Sequence, residues 1–227
     1  MPDEKKKLLV EILADRKLPL IEDDIYGEHY FGKERPKTCK SFDRDGGVLL
    51  CSSFTKTLAP SHRVGWTAPG KFKNQVERLK MIGSIGNPLL PQLMIAEFLK
   101  NGGYDHHLRG LRRYYAQQVQ IFGQAVGRCF PEGTKVTRLS GGMVLWVELP
   151  VQVDALELYQ RALEKHISIA PGPIFSASQN FKNCIRLNCG LRWSDQVEDA
   201  LFTLGKLAEE MCAPSQRLKH SLRKAMM

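Results

Sequence analysis

The sequence contains no apolar run long enough to cross a membrane. A membrane-spanning helix needs about 20 consecutive apolar residues, and the apolar runs of this 227-residue chain are much shorter. The opening residues, MPDEKKKLLVEIL, are charged and then amphipathic. They lack the apolar centre and the small-residue cleavage site of a secretory signal. We therefore expect a cytoplasmic protein that does not contact a membrane.

Paired cysteines are also missing. The six cysteines are scattered along the chain, and none belongs to a CxxC pair. This spacing is typical of reduced thiols in a cytoplasmic protein and argues against a structural zinc site. His106 and His107 are predicted to lie on an exposed helix, without a second ligand pair at metal spacing. We expect no bound metal.

Basic residues outnumber acidic ones and give the chain a formal net charge of +9. Such an excess suits either a nucleic-acid surface or anionic ligands. The basic residues cluster at Arg109, Arg112 and Arg113 and in the stretch QRLKHSLRK at 216–224. No helix-turn-helix pattern, zinc-finger spacing or aromatic–basic signature accompanies them. We therefore interpret these clusters as solvated helix faces and a basic tail.

The alternation of short apolar runs with amphipathic stretches predicts an α/β protein. The apolar runs are bounded by glycine and proline, which favours strands covered on both faces. The predicted helices are 3–17, 71–85, 90–102, 104–129, 153–165 and 194–211, the last with Ser194 as its N-cap. The predicted strands are 18–22, 47–51, 63–68, 134–138, 144–149, 167–170 and 184–189.

A single lysine, Lys56, stands in the stretch GVLLCSSFTKTLAPSHRVGW at 47–66. It follows a predicted strand, and ligand sites in α/β sheets form at the carboxyl ends of strands. Nearby hydroxyl groups, including those of Ser53 and Thr55, together with the guanidinium of Arg63, suit a phosphate. An amine beside a phosphate site indicates a phosphorylated cofactor with an aldehyde, held as a Schiff base.

The stretch IEDDIYGE places carboxylates at the end of the preceding predicted strand. A pyridine ring acts as an electron sink only while its nitrogen stays protonated, and a buried carboxylate partner maintains that state. Either Asp23 or Asp24 suits this role, and the three-residue spacing to Tyr26 favours Asp23. A phenol at Tyr26 would lie beside the hydroxyl group of the same ring.

These motifs, DDIYGEHYF followed by SSFTKTLAPSHRVGW, resemble the fold-type-I pyridoxal-phosphate aminotransferases. Within that group the sequence most resembles the aminotransferase-like domain of the MocR branch of GntR-type transcription regulators. The stretches GGMVLWVELP and ISIAPGPIFSASQNFKNCIRLNCG resemble the small domain of the same proteins. The resemblance runs from about residue 2 to residue 211.

The resemblance implies a role for each matching residue. Lys56 would attach covalently to pyridoxal 5'-phosphate, Asp23 would pair with the ring nitrogen, and Tyr26 would contact the ring hydroxyl group. The cofactor phosphate would be held by Ser53, Thr55 and Arg63. On the substrate side, Arg186 would bind an α-carboxylate, and Gly142 would line the site. Three positions depart from the family: Thr55 replaces a serine, and Ser61-His62 replace a glycine and a bulky apolar residue.

The resemblance also implies an aspartate-aminotransferase-like fold that begins partway through its cofactor domain. Residues 1–105 would be the C-terminal half of that large domain, 106–213 a complete small α/β domain with its linking helix, and 214–227 a basic tail. Strands built to be covered and paired on both sides would expose unpaired edges and apolar faces here. We expect the isolated chain to bind pyridoxal phosphate weakly or not at all.

Three functions remain open. The first is the effector-sensing part of a regulator, in which an amino acid or amine shifts an equilibrium that a DNA-binding module outside this chain reads out. The second is part of an aminotransferase that transfers an amino group between an amino acid and a 2-oxo acid. In either case the full-length protein is expected to be a homodimer. The third is an interaction domain without a cofactor, which a Lys56→Ala change would leave unaffected.

Overall fold

Helices and strands alternate through residues 1–213, which are the residues that the computed structural model describes. The six α-helices of this part of the chain are α1 (Asp3–Asp15), α2 (Lys73–Ser84), α3 (Leu89–Lys100), α4 (Gly103–Cys129), α5 (Ala155–Leu163) and α6 (Asp195–Cys212). Its seven strands are β1 (Leu20–Asp23), β2 (Val48–Ser53), β3 (Gly65–Ala68), β4 (Lys135–Val136), β5 (Val144–Glu148), β6 (Ala170–Pro171) and β7 (Cys184–Asn188). The chain divides within α4 into two compact units, Met1–Arg113 and a second that begins at Tyr114.

The first unit contains a three-stranded sheet in the order β1-β2-β3. Strands β1 and β2 are parallel, with Asp23 opposite Cys51. Strands β2 and β3 are antiparallel, with Ser53 opposite Gly65. The carboxyl ends of β1 and β2 and the beginning of β3 therefore meet at one edge of the sheet. The loops that carry the predicted cofactor residues leave the sheet at this edge.

Helix α1 ends two residues earlier than predicted, because Lys17 adopts a left-handed backbone with φ 53°. The Lys17 N–H donates to the carbonyl of Ala14, and the Leu18 N–H donates to the carbonyl of Leu13, both at 2.9 Å. This pair of bonds satisfies carbonyl groups that the last helical turn leaves open, as in a Schellman motif. Glycine usually occupies this position. Because a lysine stands here instead, the sequence contains no signal that the helix ends at this point.

The core of the first unit is small. Its buried apolar cluster consists of Val10, Cys39 and Val48, with partly buried Leu20 and Phe42 packed against it. The strands of this unit have the apolar pattern of covered strands, but Ile21 is 72% exposed and Trp66 is 48% exposed, as expected for strands that expose apolar faces in residues 1–105. Helix α2 buries no residue. Large apolar side chains are exposed on α2, on α3 and between them, at Leu79, Met81, Ile82, Ile85, Leu89, Leu90, Leu93 and Met94.

The second unit has a four-stranded sheet in the order β4-β5-β7-β6, and all of its pairings are antiparallel. Burial alternates along β5, where Leu145 and Val147 face the core. This unit has a much larger apolar core than the first. Its buried members are Phe122, Ala125, Val126, Phe130, Leu145, Val147, Leu149, Val153, Ala155, Leu158, Ala162, Ile169, Ile185, Leu187, Cys189, Leu201, Leu204 and Ala208. Each large side chain buried in this way contributes roughly 1.5–3 kcal/mol.

Several boundaries in the second unit differ from the predictions. The strands predicted at 134–138 and 167–170 are shorter in the structure, where β4 (Lys135–Val136) and β6 (Ala170–Pro171) have two residues each. Helix α5 begins after Asp154, whose carboxylate accepts hydrogen bonds from the N–H groups of Leu156 and Glu157. His166, with φ 60°, turns the chain away beyond the end of this helix. The N-cap predicted at Ser194 is confirmed, because its side chain accepts a bond from the Val197 N–H.

None of the helices in the described part of the chain is long and apolar enough to cross a membrane. Residues 1–213 also contain no group of three or more His, Cys, Asp or Glu side chains that could hold a metal ion. The basic tail predicted at 214–227 lies outside the described residues.

Candidate cofactor-binding site

Lys56 lies in a tight turn directly after β2. The N–H groups of Leu58 and Ala59 both donate to the Phe54 carbonyl, at 2.9 and 3.1 Å. The Phe54 N–H donates to the Val64 carbonyl at 3.0 Å and so extends the pairing of β2 with β3. Lys56 is half-buried, and within residues 1–213 its amine forms no hydrogen bond or ion pair. The turn therefore fixes the backbone of Lys56 and leaves its Nζ available to a ligand.

Two residues near the start of α4 hold the turn around Lys56 in place. Thr57 is buried, and its Oγ1 accepts a 2.9 Å hydrogen bond from the Tyr104 hydroxyl group. The Nε2 of His107 lies 2.9 Å from the Thr57 carbonyl oxygen and donates to it. Burial also raises the pKa of Tyr104, so its phenol stays protonated as a donor. The prediction that His107 lies on an exposed helix is wrong, while its neighbour His106 is exposed.

Two adjacent carboxylates at the end of β1 have different partners: Asp23 is the last residue of the strand, and Asp24 is the first residue of the loop that follows it, here called the β1 loop. Asp24 is half-buried and accepts a charge-assisted hydrogen bond from Nη2 of Arg35. Burial raises the pKa of Asp24, and the bond with Arg35 opposes that rise. Asp23 is exposed at the sheet edge, and its Oδ1 accepts only the Ile25 N–H, at 3.2 Å, among the described residues. Of the two carboxylates, only Asp23 is available to a ligand.

Arg112 belongs to the basic cluster that the sequence analysis interpreted as a solvated face, and this interpretation is wrong for Arg112. Its Nε donates to the Glu28 carbonyl at 2.8 Å and its Nη2 to the Glu28 carboxylate at 3.0 Å. Its guanidinium also stacks on the Tyr30 ring, 4.0 Å from the centroid. Arg35 reaches the other oxygen of the same carboxylate at 2.7 Å. Glu28 therefore ties the β1 loop to α4.

Tyr26 and His29 lie on the same loop. Tyr26 is 41% exposed, whereas His29 is fully buried. The two rings meet edge to face, with centroids 5.9 Å apart, and the His29 N–H donates to the Tyr26 carbonyl at 3.0 Å. His29 is not among the site residues predicted from the sequence. A histidine within the stretch YGEHYF, which has three aromatic residues among its six, is the one signal that would have drawn attention to it.

The residues predicted to bind phosphate belong to two segments, one at the end of β2 and one before β3. Ser53 ends β2, and its Oγ accepts the Thr55 N–H at 3.4 Å. Arg63 is exposed and lies two residues before β3, with a left-handed backbone of φ 51° and ψ 37°. A non-glycine residue seldom adopts this conformation. In residues 1–213 the Arg63 guanidinium forms no ion pair.

Six of the eight predicted site residues thus lie at one edge of the first sheet, either as the last residue of a strand or in a loop that leaves that edge. Asp23 ends β1, and Tyr26 follows in the loop after it. Ser53 ends β2, Thr55 and Lys56 follow in the next turn, and Arg63 belongs to the segment before β3. These segments carry an amine, a carboxylate, hydroxyl groups and a guanidinium.

The other two predicted residues belong to the second unit. Arg186 is exposed on β7, opposite Trp146 of β5, and its guanidinium lies 4.8 Å from the centroid of the Phe175 ring. It also borders a cavity of about 780 Å³, together with Arg192 and His166. Gly142 precedes β5 with φ 87°. A side chain at position 142 would meet open space but would strain this backbone.

The sequence model of the family "Aminotransferase class I and II" matches residues 1–201. The chain belongs to this family. It is 42% identical to the HTH-type transcriptional regulator YdcR of Escherichia coli strain K12 over 207 residues. This match covers 91% of this chain and 44% of YdcR. It is 31% identical over 212 residues to the 2-aminoadipate transaminase of Thermus thermophilus, covering 92% of this chain and 53% of that enzyme. The chain spans about half the length of these relatives.

The fold matches solved aminotransferase structures. LysN, the α-aminoadipate aminotransferase of Thermus thermophilus, was crystallised with N-(5'-phosphopyridoxyl)-L-leucine. It superposes with a TM-score of 0.86 at 30% identity, over 93% of this chain and 55% of LysN. The predicted pyridoxal-phosphate transferase fold is therefore confirmed, as is the resemblance to both aminotransferases and regulators. Pyridoxal 5'-phosphate is the cofactor of this family.

The residues at the sheet edge fit such a cofactor. A phosphorylated pyridine aldehyde needs an amine, a carboxylate near its ring nitrogen and donors for its phosphate. Among the described residues, the Lys56 amine and the Arg63 guanidinium have no competing ion pair, and the Asp23 carboxylate accepts only one backbone N–H. Asp24, by contrast, is engaged by Arg35.

Proposed function

We propose that this chain is the pyridoxal-phosphate-binding, effector-sensing part of a MocR-type transcription regulator of the GntR group. The observation that carries this proposal is the 42% identity to YdcR, against 31% to the 2-aminoadipate transaminase over a similar length. DNA binding would belong to a winged-helix module outside this chain. The protein would act in the cytoplasm, and an amino acid or amine would be its effector.

We assign the site residues as follows. The Lys56 amine is the point of covalent attachment, Asp23 holds a proton on the ring nitrogen, and Tyr26 donates to the ring hydroxyl group. The phosphate is held by the hydroxyl groups of Ser53 and Thr55 and by Arg63. When bound, pyridoxal phosphate supplies an aldehyde for covalent attachment and a ring that withdraws electrons.

Two further residues would bind the effector. A guanidinium matches a carboxylate with two parallel hydrogen bonds, so we assign Arg186 to the effector's α-carboxylate and Gly142 to the lining beside it. In this assignment, residues 1–105 are the C-terminal half of the cofactor domain and residues 106–213 are the small domain. The contact of Arg186 with Phe175 supports the assignment, because stacking on the ring orients a guanidinium that has no ion pair within residues 1–213.

The exposed surface of the first unit supports a larger assembly. Both β1 and β3 are outer strands of the three-stranded sheet, and each has one unpaired edge. Unpaired strand edges and exposed apolar side chains mark an interaction site. We propose that the rest of the full-length protein pairs with these edges and that α2 and α3 contribute to a homodimer. Pyridoxal phosphate binding by the isolated chain would accordingly be weak.

An absorbance titration with pyridoxal phosphate tests the cofactor site. We expect the wild-type chain to develop the visible band of lysine-bound cofactor only at high cofactor concentration, and Lys56→Ala to lose it. Lys73 is a matched control, because its side chain is 70% exposed and lies on α2. Lys73→Ala should behave as the wild type. A band that survives Lys56→Ala would contradict the proposed site, and tight stoichiometric binding would contradict the proposed need for the rest of the protein.

A working aminotransferase is the second candidate, supported by the similarity to the Thermus enzyme. In that case the Lys56 amine would also carry the proton taken from the substrate α-carbon. The coding sequence upstream of Met1 separates the two candidates, because a winged-helix segment there favours the regulator. An amino-group transfer assay on the longer protein provides the second test. Steady turnover of an amino acid to its 2-oxo acid would favour the enzyme.

A further inference from the structure

His29 is fully buried and contacts two of the residues assigned to the cofactor. Its ring meets the Tyr26 ring edge to face, 5.9 Å between centroids. It also hydrogen-bonds with the backbone of Lys56. Lys56 is 27 positions away along the chain, and β1 and β2 bring the two loops together because they are parallel neighbours.

The charged groups around His29 come from two elements. Glu28, on the same loop, favours the protonated imidazole, and Arg112, on α4, opposes it. These two residues form an ion pair with each other, at 3.0 Å, and Glu28 is also paired with Arg35. Burial is the largest influence and lowers the pKa of His29. The imidazole is therefore neutral near pH 7, where a buried polar ring persists only because it is hydrogen-bonded.

We propose that His29 is a positioning residue that sets the Lys56 amine and the Tyr26 phenol in a fixed relation to each other. It touches no reacting atom. It supports the Lys56 backbone from one side, while Thr57, the next residue, is held by Tyr104 and His107 from α4. The proposal rests on the proposed function, since it concerns the same site.

The test needs a readout that does not depend on the cofactor. Amide hydrogen exchange reports local opening of a segment, so deuterium uptake at residues 54–59 measures the anchoring of the turn directly. We expect His29→Phe and His29→Leu, which fill the space without a hydrogen bond, to accelerate this uptake by about tenfold. The affinity for pyridoxal phosphate in the absorbance titration should fall by a similar factor.

Conservative variants provide the rescue. The amides of His29→Asn and His29→Gln lie near the positions of the two ring nitrogens, so at least one of them should keep uptake and affinity within about threefold of the wild type. His106→Asn is a matched control, because His106 is an exposed histidine in the first unit, and it should change neither readout.

If His29→Phe and His29→Leu fold and residues 54–59 exchange at the wild-type rate, the positioning role is refuted. The same holds if neither amide variant restores what the apolar variants lose. If the exchange effect appears but the wild-type protein shows no lysine-bound cofactor, the anchoring role stands and the proposed cofactor function fails.

Discussion

Asp23 and Asp24 are neighbours in the chain, but their carboxylates have separate roles in the structure. Asp24 is paired with Arg35, and its side chain is 18% exposed. Asp23 lies at the open edge of the sheet and accepts a single backbone N–H, from Ile25. The three-residue spacing to Tyr26 favoured Asp23 as the partner of the cofactor ring, and the ion pair of Asp24 with Arg35 is a physical reason for the same choice.

Exchanging each carboxylate for an amide should separate these roles. Asp23→Asn should weaken pyridoxal phosphate binding at least about tenfold, because an amide does not keep a ring nitrogen protonated, and it should leave the stability of the chain nearly unchanged. Asp24→Asn should cost about 1–2 kcal/mol of unfolding free energy through the lost charge-assisted bond. Urea denaturation and the absorbance titration measure both effects. The assignment fails if Asp24→Asn is the variant that loses the cofactor and keeps its stability.

Acid should destabilise the protein partly through His29. The folded state lowers the pKa of His29 below its usual value, so the unfolded chain binds more protons as the pH falls. The contribution of His29 is therefore fully present above the unfolded pKa of about 6.5 and is lost as the pH decreases towards the folded value. Unfolding free energies measured from about pH 8 to pH 5 should decline less steeply for His29→Asn than for the wild type. Equal slopes would show that His29 does not carry this effect.

The left-handed residue after α1 predicts a stabilising substitution. Lys17 has φ 53°, a conformation that costs a residue with a side chain about 1 kcal/mol more than glycine. Lys17→Gly should therefore raise the unfolding free energy of the first unit by roughly 0.5–1 kcal/mol. Lys7, in the interior of α1, provides the control, and Lys7→Gly should lower it by about 1 kcal/mol. Thermal unfolding followed by circular dichroism distinguishes the two signs.

The core of the second unit should respond strongly to a cavity. Leu204 is 1% exposed, so Leu204→Ala should cost about 2–5 kcal/mol. Leu79 on α2 is 68% exposed, and Leu79→Ala should change stability by no more than about 0.5 kcal/mol. Replacing Trp66 by Phe leaves Trp146 and Trp193 as fluorescent reporters of the second unit. A small effect at Leu204 would mean that this core is loosely packed.

Much of the fold was predictable because it depends on local patterns. The strand before Lys56, the alternation along β5 and the N-cap at Ser194 all follow from neighbouring residues. The contacts that position the site do not. His107 reaches Thr57 across 50 positions, and Arg112 reaches Glu28 across 84. Polar residues on an amphipathic helix give no indication of such partners, so His107 and Arg112 were interpreted as solvent-exposed.

The exposed faces of the first unit have a different physical origin. The strand pattern that favours burial on both sides is present in the sequence, but burial requires neighbours. With β1 and β3 at the edges of a three-stranded sheet, Ile21 and Trp66 remain exposed in this chain. Sequence patterns therefore predict which surfaces are suited to packing, and the three-dimensional structure shows which of them are packed.

The most direct test of the account is chemical trapping at Lys56. Pyridoxal phosphate is added in excess to the folded chain, the covalent adducts are fixed with borohydride, and the labelled peptides are identified by mass spectrometry. We predict that Lys56 is labelled well ahead of the more exposed Lys73 and that unfolding in urea abolishes this preference. Labelling of Lys56 that is no faster than that of Lys73 in the folded protein would contradict the central claim.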